Sequence, residues 1–288
     1  MSSQLLATSV SRRTGRAWLT IGALLATVIV VVSAYTIVTD IAYRRLPPSV
    51  RTFRGAVRVL DVDIETGSVV VEPWSGTGAS VTSTITEGVT SPSNAEGLIG
   101  GMLHINSSCG AHYVGNDHCN LNVTIRVPPT TKVKVEAENG DITVRGVMDS
   151  LDLDSGQGNV TAVGCRGRLD LHSGEGDVTV VGGRGRLELH SGQGDVEASD
   201  LTSSLVTATS SQGDVYVAFA AAPSDVLATS AQGNVTVLLP RGSAAYRVVA
   251  RSDQGSASTG SVHIDSSSRR VVTATSGQGD VSVRYGAP

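Results

Sequence analysis

The sequence predicts an all-β protein: a parallel β-solenoid, or β-roll, of roughly 18-residue rungs with two strands each, behind one N-terminal transmembrane helix. Three features carry this. The first is a Gly-Asp/Asn-Val beat whose glycine falls at Gly140, Gly158, Gly176, Gly194, Gly213 and Gly233, then at a degenerate copy at Gly255, and finally at Gly279; successive steps are 18, 18, 18, 19, 20, 22 and 24 residues. A period this regular marks stacked units, none of which can bury its apolar face alone. The second is composition: 33 glycines and 3% aromatic residues in 288 suit many turns around a slim interior. The third is a long uncharged stretch near the N-terminus.

That stretch covers residues 17–39 and includes the apolar run Ile21–Val32. As a helix at about 1.5 Å per residue it reaches roughly 34 Å, enough for a bilayer core. Arg12, Arg13 and Arg16 precede it, and Trp18 and Tyr43 stand where interfacial anchors belong. A cleavable signal is the competing reading, since Val32-Ser33-Ala34 places small residues at −3 and −1, with cleavage before Tyr35. The apolar stretch continues to Val38, which favours an uncleaved anchor. The expected organisation is a cytoplasmic N-terminus (1–16), the span (17–39), a stalk (40–52) containing Pro47-Pro48, a β segment with long loops (53–131) and the regular solenoid (132–284). With arginines on both sides of the span, charge alone does not orient it; two cysteines in one loop favour an oxidising, extracytoplasmic side for the large domain. Localisation is thus expected at the cell membrane, single-pass, with the C-terminal domain outside. Without the three N-terminal arginines, 26 acidic residues face 19 basic ones. That balance excludes nucleic acid as a partner and argues against tight binding to anionic lipid.

In the β segment, Leu60, Val62 and Ile64 alternate before Thr66-Gly67-Ser68 turns into Val69-Val70-Val71, a diverged first copy of the repeat. Strands near 79–86, 102–106 and 121–127 follow, interrupted by loops at 87–101 and 107–120. The second loop holds Cys109 and Cys119. Exported and ten residues apart, they can close a disulfide that tethers the loop. Alternatively Cys109, His112, His118 and Cys119 make a four-ligand set for zinc, at a spacing that matches no common zinc module. Cys165 stands alone and reads as a small buried residue.

The best repeat copies begin at Arg168 and Arg186. In the first, Leu169/Leu171 and then Val178/Val180 alternate with polar residues, the period of half-buried strands. Between the strands, Ser-Gly-Gln/Glu-Gly makes a corner whose glycines are expected to take a positive φ. Aligned copies predict inward ladders, such as Leu151/Leu153, Leu169/Leu171 and Leu187/Leu189 in one sheet and Val160/Ala162, Val178/Val180 and Val196/Ala198 in the other, stacked in sequence order through Val226, Val248 and Val272. A serine recurs at one corner position (Ser155 through Ser276); seven equivalent nucleophiles make no chemical sense, so it reads as a hydroxyl bonding the turn backbone. The Gln/Glu column from Gln157 to Gln278 is expected to chain amide to amide.

Val127-Pro128-Pro129, Glu138-Asn139-Gly140-Asp141-Ile142 and the train of Ser-Gly-x-Gly-Asp/Asn-Val copies resemble the DUF4097 family of adhesin-like bacterial proteins over roughly residues 55–284. The resemblance implies a β-solenoid on the cell envelope and brings no catalytic or binding residue with it. The reading is a membrane-anchored, non-catalytic, adhesin-like binding or scaffolding protein without cofactors, with an envelope protein or a glycan as ligand. The alternative is a calcium-binding roll using the stacked Asp177, Asp195 and Asp214. Here, however, the acid follows the second glycine directly, whereas calcium-binding nonapeptides insert a residue. Carboxylates about 4.8 Å apart repel by only ~1 kcal/mol in water, so such a column stands without a cation. A glycan-cleaving enzyme is less favoured again: it needs one locally placed acid pair, whereas Asp152, Asp170 and Glu188 form a column beside Arg166, Arg168, Arg184 and Arg186.

Overall fold

The computed structural model describes residues 21–34, 44–87, 92–109 and 119–286. A helix covers residues 21–34. Among the described residues no helix is long and apolar enough to cross a membrane; fourteen residues rise about 21 Å against a bilayer core of about 30 Å. The remainder of the 17–39 span, like the N-terminal 1–16, lies outside the described residues.

The rest is two sheets, of thirteen and eleven strands, stacked rung upon rung. Regular rungs pair in parallel and in the register of the repeat: Leu151 faces Leu169, which faces Leu187, which faces Val206. In the other sheet Ile142, Val160, Val178 and Val196 align, with Thr143, Thr161 and Thr179 in the column between the inward residues. The inward ladders are buried except at Val248 and Ala250 of the end rung, which are half-buried, and the residues between them face outward. Four small aliphatic side chains per rung contribute roughly 1.5–3 kcal/mol each, which supports an array but not an isolated rung. Against the following rung the register shifts between Ala198 and Leu201, with Asp200 at φ 53°; the extra residue of the 19-residue step enters between Thr202 and Leu205. Aspartate tolerates that left-handed conformation better than most residues.

The glycine corners are tight for another reason than the expected one. Positive φ falls on Gly146, Gly164 and Gly182, at the second corner of each rung, and not on Gly158, Gly176 or Gly194. These last glycines lie directly over one another. A Cβ on Gly176 would sit 2.8 Å from the Asn159 nitrogen and closer still to the Gly158 carbonyl. Only hydrogen fits there, whatever the dihedral angle. The buried serine completes the corner: the Ser173 hydroxyl donates to the Gly158 carbonyl of the rung before (2.8 Å) and accepts from Gly176 N–H (2.8 Å). The same pair of bonds recurs at Ser191, Ser210, Ser230, Ser252 and Ser276. The glutamines, by contrast, are exposed, and no bond links one to the next among the described residues.

At both ends the stacking order departs from the sequence order. Val271–Ser276 pairs with Asp225–Ser230 on one side and with Arg247–Ser252 on the other, so the last rung in sequence is the penultimate one in space. The Gly255 copy explains this. Ser256 and Ala257 replace the Asp-Val pair, leaving no acid to receive a further rung and a weak inward residue, so this copy suits an end. The long 22- and 24-residue steps supply the chain to step over a rung. Tyr246, fully buried, and Val262 close the core there, as a repeat array requires of its terminal unit.

The N-terminal end mirrors this. Val59–Thr66 lies between Lys132–Asn139 and Met102–Ser108. The expected stalk and first loop are part of the sheets: Arg44–Arg45 and Ser49–Phe53 pair antiparallel with Ala79–Glu87, and Ser93–Ile99 pairs antiparallel with Met102–Ser108. Alternating polar and small residues at 93–97 carry no strong strand signal, which is why the sequence reads as loop there.

Truncating the chain after Ser268 removes a rung held on both faces. Hydrogen exchange should show protection lost over residues 247–252 as well as along Asp225–Ser230. Stacking in sequence order would instead leave Asp225–Ser230 protected, with 247–252 still paired to it.

Candidate functional site

Each expected site residue has a definite place. Cys109 and Cys119 form a disulfide with Cα atoms 5.9 Å apart. Cys109 follows Met102–Ser108 and Cys119 precedes Asn120–Val127, so the bridge closes this rung at the corner where the regular rungs carry the Ser-Gly-x-Gly turn. Glu65 accepts the Cys109 N–H (2.7 Å) and the Ser108 hydroxyl (3.0 Å). Sulfurs bonded to each other are not thiolate ligands, so the zinc set does not form from these cysteines; His112 and His118 lie outside the described residues. Cys165 is fully buried, and burial raises its thiol pKa.

Asp177, Asp195 and Asp214 do stack, with a structural duty. Oδ1 of each accepts the backbone N–H of the next rung's residue: Asp177 from Asp195 (2.8 Å), Asp195 from Asp214 (2.7 Å), Asp214 from Asn234 (2.7 Å). Asn159 and Asn234 act identically toward Asp177 and Asp280. At the corner these N–H groups have left the sheet ladder, and an Asx side chain supplies the partner they need. Among the described residues no group of three His, Cys, Asp or Glu is placed to hold a metal ion. The column ends where Asp280 accepts both the N–H and the hydroxyl of Ser256, which lower its carboxyl pKa.

The varied chemistry lies on the outer face of the eleven-stranded sheet. Asp152, Asp170 and Glu188 form one column, next to Asp154, His172 and His190. Arg168 bridges two rungs, reaching Asp170 (3.3 Å) and Glu188 (2.9 Å), while Arg186 lies 3.6 Å from Glu188. Exposed pairs of this kind contribute at most about 1 kcal/mol each and set local charge more than stability. Partial burial, and then the Asp170 carboxylate, raise the Asp152 pKa. His172 and His190 stack with ring centroids 5.0 Å apart and planes 1° from parallel, a spacing imposed by the rungs beneath them. His172 meets Asp154 (3.1 Å) and His190 meets Thr209 (2.8 Å). Further along, Arg186, Glu188, Thr207, Asp225, Leu227 and Thr273 line a shallow depression of about 300 Å³. Sequence reasoning passed over the histidine stack, although two histidines 18 residues apart in one register announce it. Of the acids that a glycan-cleaving centre would use, Asp170 and Glu188 are arginine-paired, whereas Asp152 has no arginine partner among the described residues.

A two-sheet parallel solenoid with an ordered polar face defines a class of stacked-rung proteins. The chain belongs to the DUF4097 family: the Toastrack DUF4097 profile matches residues 58–285. No curated protein matches it. Among solved structures, a candidate adhesin from Bacteroides fragilis NCTC 9343 superposes with TM-score 0.50 at 13% identity, covering 83% of this chain and 97% of its own. Candidate adhesins from Parabacteroides merdae ATCC 43184 (TM-score 0.37, 11% identity, 83% and 96% covered) and Parabacteroides distasonis ATCC 8503 (0.37, 13%, 82% and 97%) are more distant. The first likeness establishes a shared fold and nothing further.

Burial first, then the neighbouring His172, hold the His190 pKa below its ordinary 6.5. The folded state therefore favours the neutral ring, and the stability this carries is present above pH 6.5 and is lost as pH falls through the lower folded value. Thermal unfolding should show a smaller loss between about pH 7.5 and 5 for His190→Thr, which extends the Thr209 column, than for the parent chain. An unchanged pH slope would contradict this local assignment.

Proposed function

We propose that this chain is a non-catalytic, adhesin-like binding or scaffolding protein of the cell envelope, held at the membrane by its N-terminal helix. The observation that carries the binding role is the outer face of the eleven-stranded sheet. There, acids, arginines and histidines stand in fixed columns about 4.8 Å apart, presenting a repeated surface to an extended ligand such as a glycan or an envelope protein. The anchor reading is supported by the helix at residues 21–34. Leu24 (68% exposed), Leu25, Val28, Ile29 and Val30 leave it apolar on every side, a pattern that lipid accommodates and water does not. The extracytoplasmic reading is supported by the Cys109–Cys119 disulfide.

The test is a pull-down from native envelope with residues 44–288 as bait, which retains the paired strands at 44–53. The bait is compared with a variant carrying Arg168→Ala, His172→Ala and His190→Ala. A partner retained by the parent and lost by the variant supports the face as the binding surface. Equal retention by both moves the binding site elsewhere.

A further inference from the structure

The N-terminal end of the solenoid carries an unusual combination of side chains. Residues 41–60 hold five arginines and no acid, in a chain whose net charge is −4. Arg45, Arg54 and Arg58 are exposed and have no ion-pair partner among the described residues. Arg51 lies 3.7 Å from Glu96, whose side chain is 1% exposed. Beside Arg54 and Arg58 is the hairpin tip at 99–102, while Arg45, opposite Thr86, lies toward the disulfide corner of the same end. Arg58 N–H donates to the Gly101 carbonyl (2.8 Å), and Leu98 lies against Gly55. At that tip Ile99 is 83% and Met102 46% exposed. They border a shallow hollow of about 620 Å³ with Ala95, Gly97 and His104. Two acids of this region are engaged, Asp61 with His104 and Glu72 with Arg126.

Chain connectivity says what this end faces. Arg44 follows Ala34, the last described helical residue, by ten positions, a tether of at most about 35 Å. The opposite end, near Ser258, lies the full length of the stack away. Resting on the anchor reading above, we infer that the N-terminal end docks on an anionic bilayer surface. Arg45, Arg54 and Arg58 meet lipid phosphates there, and Ile99 and Met102 enter the interface. Arginines are favoured against anionic headgroups, and exposed apolar side chains gain by leaving water at that depth. The overall negative charge of the domain does not oppose this, because screening confines the interaction to about 8 Å. Docking would hold the solenoid at a fixed angle, with its outer face accessible.

The full chain provides the test, since Cys165 is buried and the other two cysteines are bonded. An environment-sensitive fluorophore is placed at Ile99→Cys, with Met102→Cys as a second reporter and Ser258→Cys as the distal reference. The chain is reconstituted into phosphatidylcholine vesicles with or without phosphatidylglycerol, with spin-labelled lipid as quencher. Docking predicts that the 99 and 102 labels are quenched with phosphatidylglycerol and the 258 label is not. It also predicts that Arg45→Gln, Arg54→Gln and Arg58→Gln together weaken quenching at least tenfold, as does omission of the anionic lipid. Chain that floats with vesicles while 99, 102 and 258 are quenched alike overturns docking and leaves anchoring intact. Chain that fails to float with any vesicle overturns both.

Discussion

Everything in this solenoid depends on how closely one rung's backbone can approach the next at the glycine corner. Gly158, Gly176 and Gly194 rest on one another with no space for a Cβ. That contact brings the serine hydroxyl within reach of the glycine carbonyl below and the Asx oxygen within reach of the next N–H. The sheets stop at the corner, and the Ser-Gly-x-Gly-Asp string takes over their hydrogen bonding where the ladder ends. The motif is thus a backbone-satisfaction device. It explains why aspartate and asparagine interchange at the last position, since either supplies the acceptor, and why the calcium reading of the acids weakens: one oxygen of each is already engaged.

Termination uses the same device. In the regular rungs the Asx residue receives the N–H of the next rung, although the Gly140 rung stacks on Ser68 of the first copy without it. The Gly255 copy, with Ser256 in that position, offers no such acceptor, and it forms the end although it is not last in sequence. At the other end the corner of the outermost regular rung is an insertion closed by Cys109–Cys119, and antiparallel hairpins cover it. The first and last copies of the repeat, Val59–Pro73 and Val271–Tyr285, are thereby each covered by a further rung, an arrangement that resists fraying in an array bound only by nearest-neighbour contacts.

The repetitive part of this architecture was legible in the sequence because identical physics at each rung writes identical residues. Inward Leu169/Leu171 and Val178/Val180, the serine column and the rung register all follow from alternation and period. What was not legible is where the physics is not repeated. Ser93–Ile99 lacks a strand pattern because its inward Glu96 meets the Ser83 hydroxyl (3.0 Å) and Asn94 (2.9 Å) in place of apolar partners. The exchanged order of the last two rungs is invisible to an alignment that ranks copies by position, although the degenerate Gly255 copy and the widening steps were its trace. The glycines were recognised for the wrong property: their role is close approach, which only the stacked neighbour reveals. The candidate binding face was half visible, its acids and arginines expected as columns and its histidine stack passed over.

The most direct measurement compares two glycine-to-alanine changes by thermal and chemical unfolding. Gly97 has an ordinary φ and nothing within 4 Å of an added Cβ, so Gly97→Ala should be neutral or stabilising by up to about 1 kcal/mol. Gly176 is clamped between Gly158 and Gly194. Gly176→Ala should cost about 3 kcal/mol or more, at or beyond the upper end for overpacking, because the backbone it strikes has no free side to move toward. If Gly176→Ala unfolds no earlier than Gly97→Ala, the corner is not the constraint on which this stack is built.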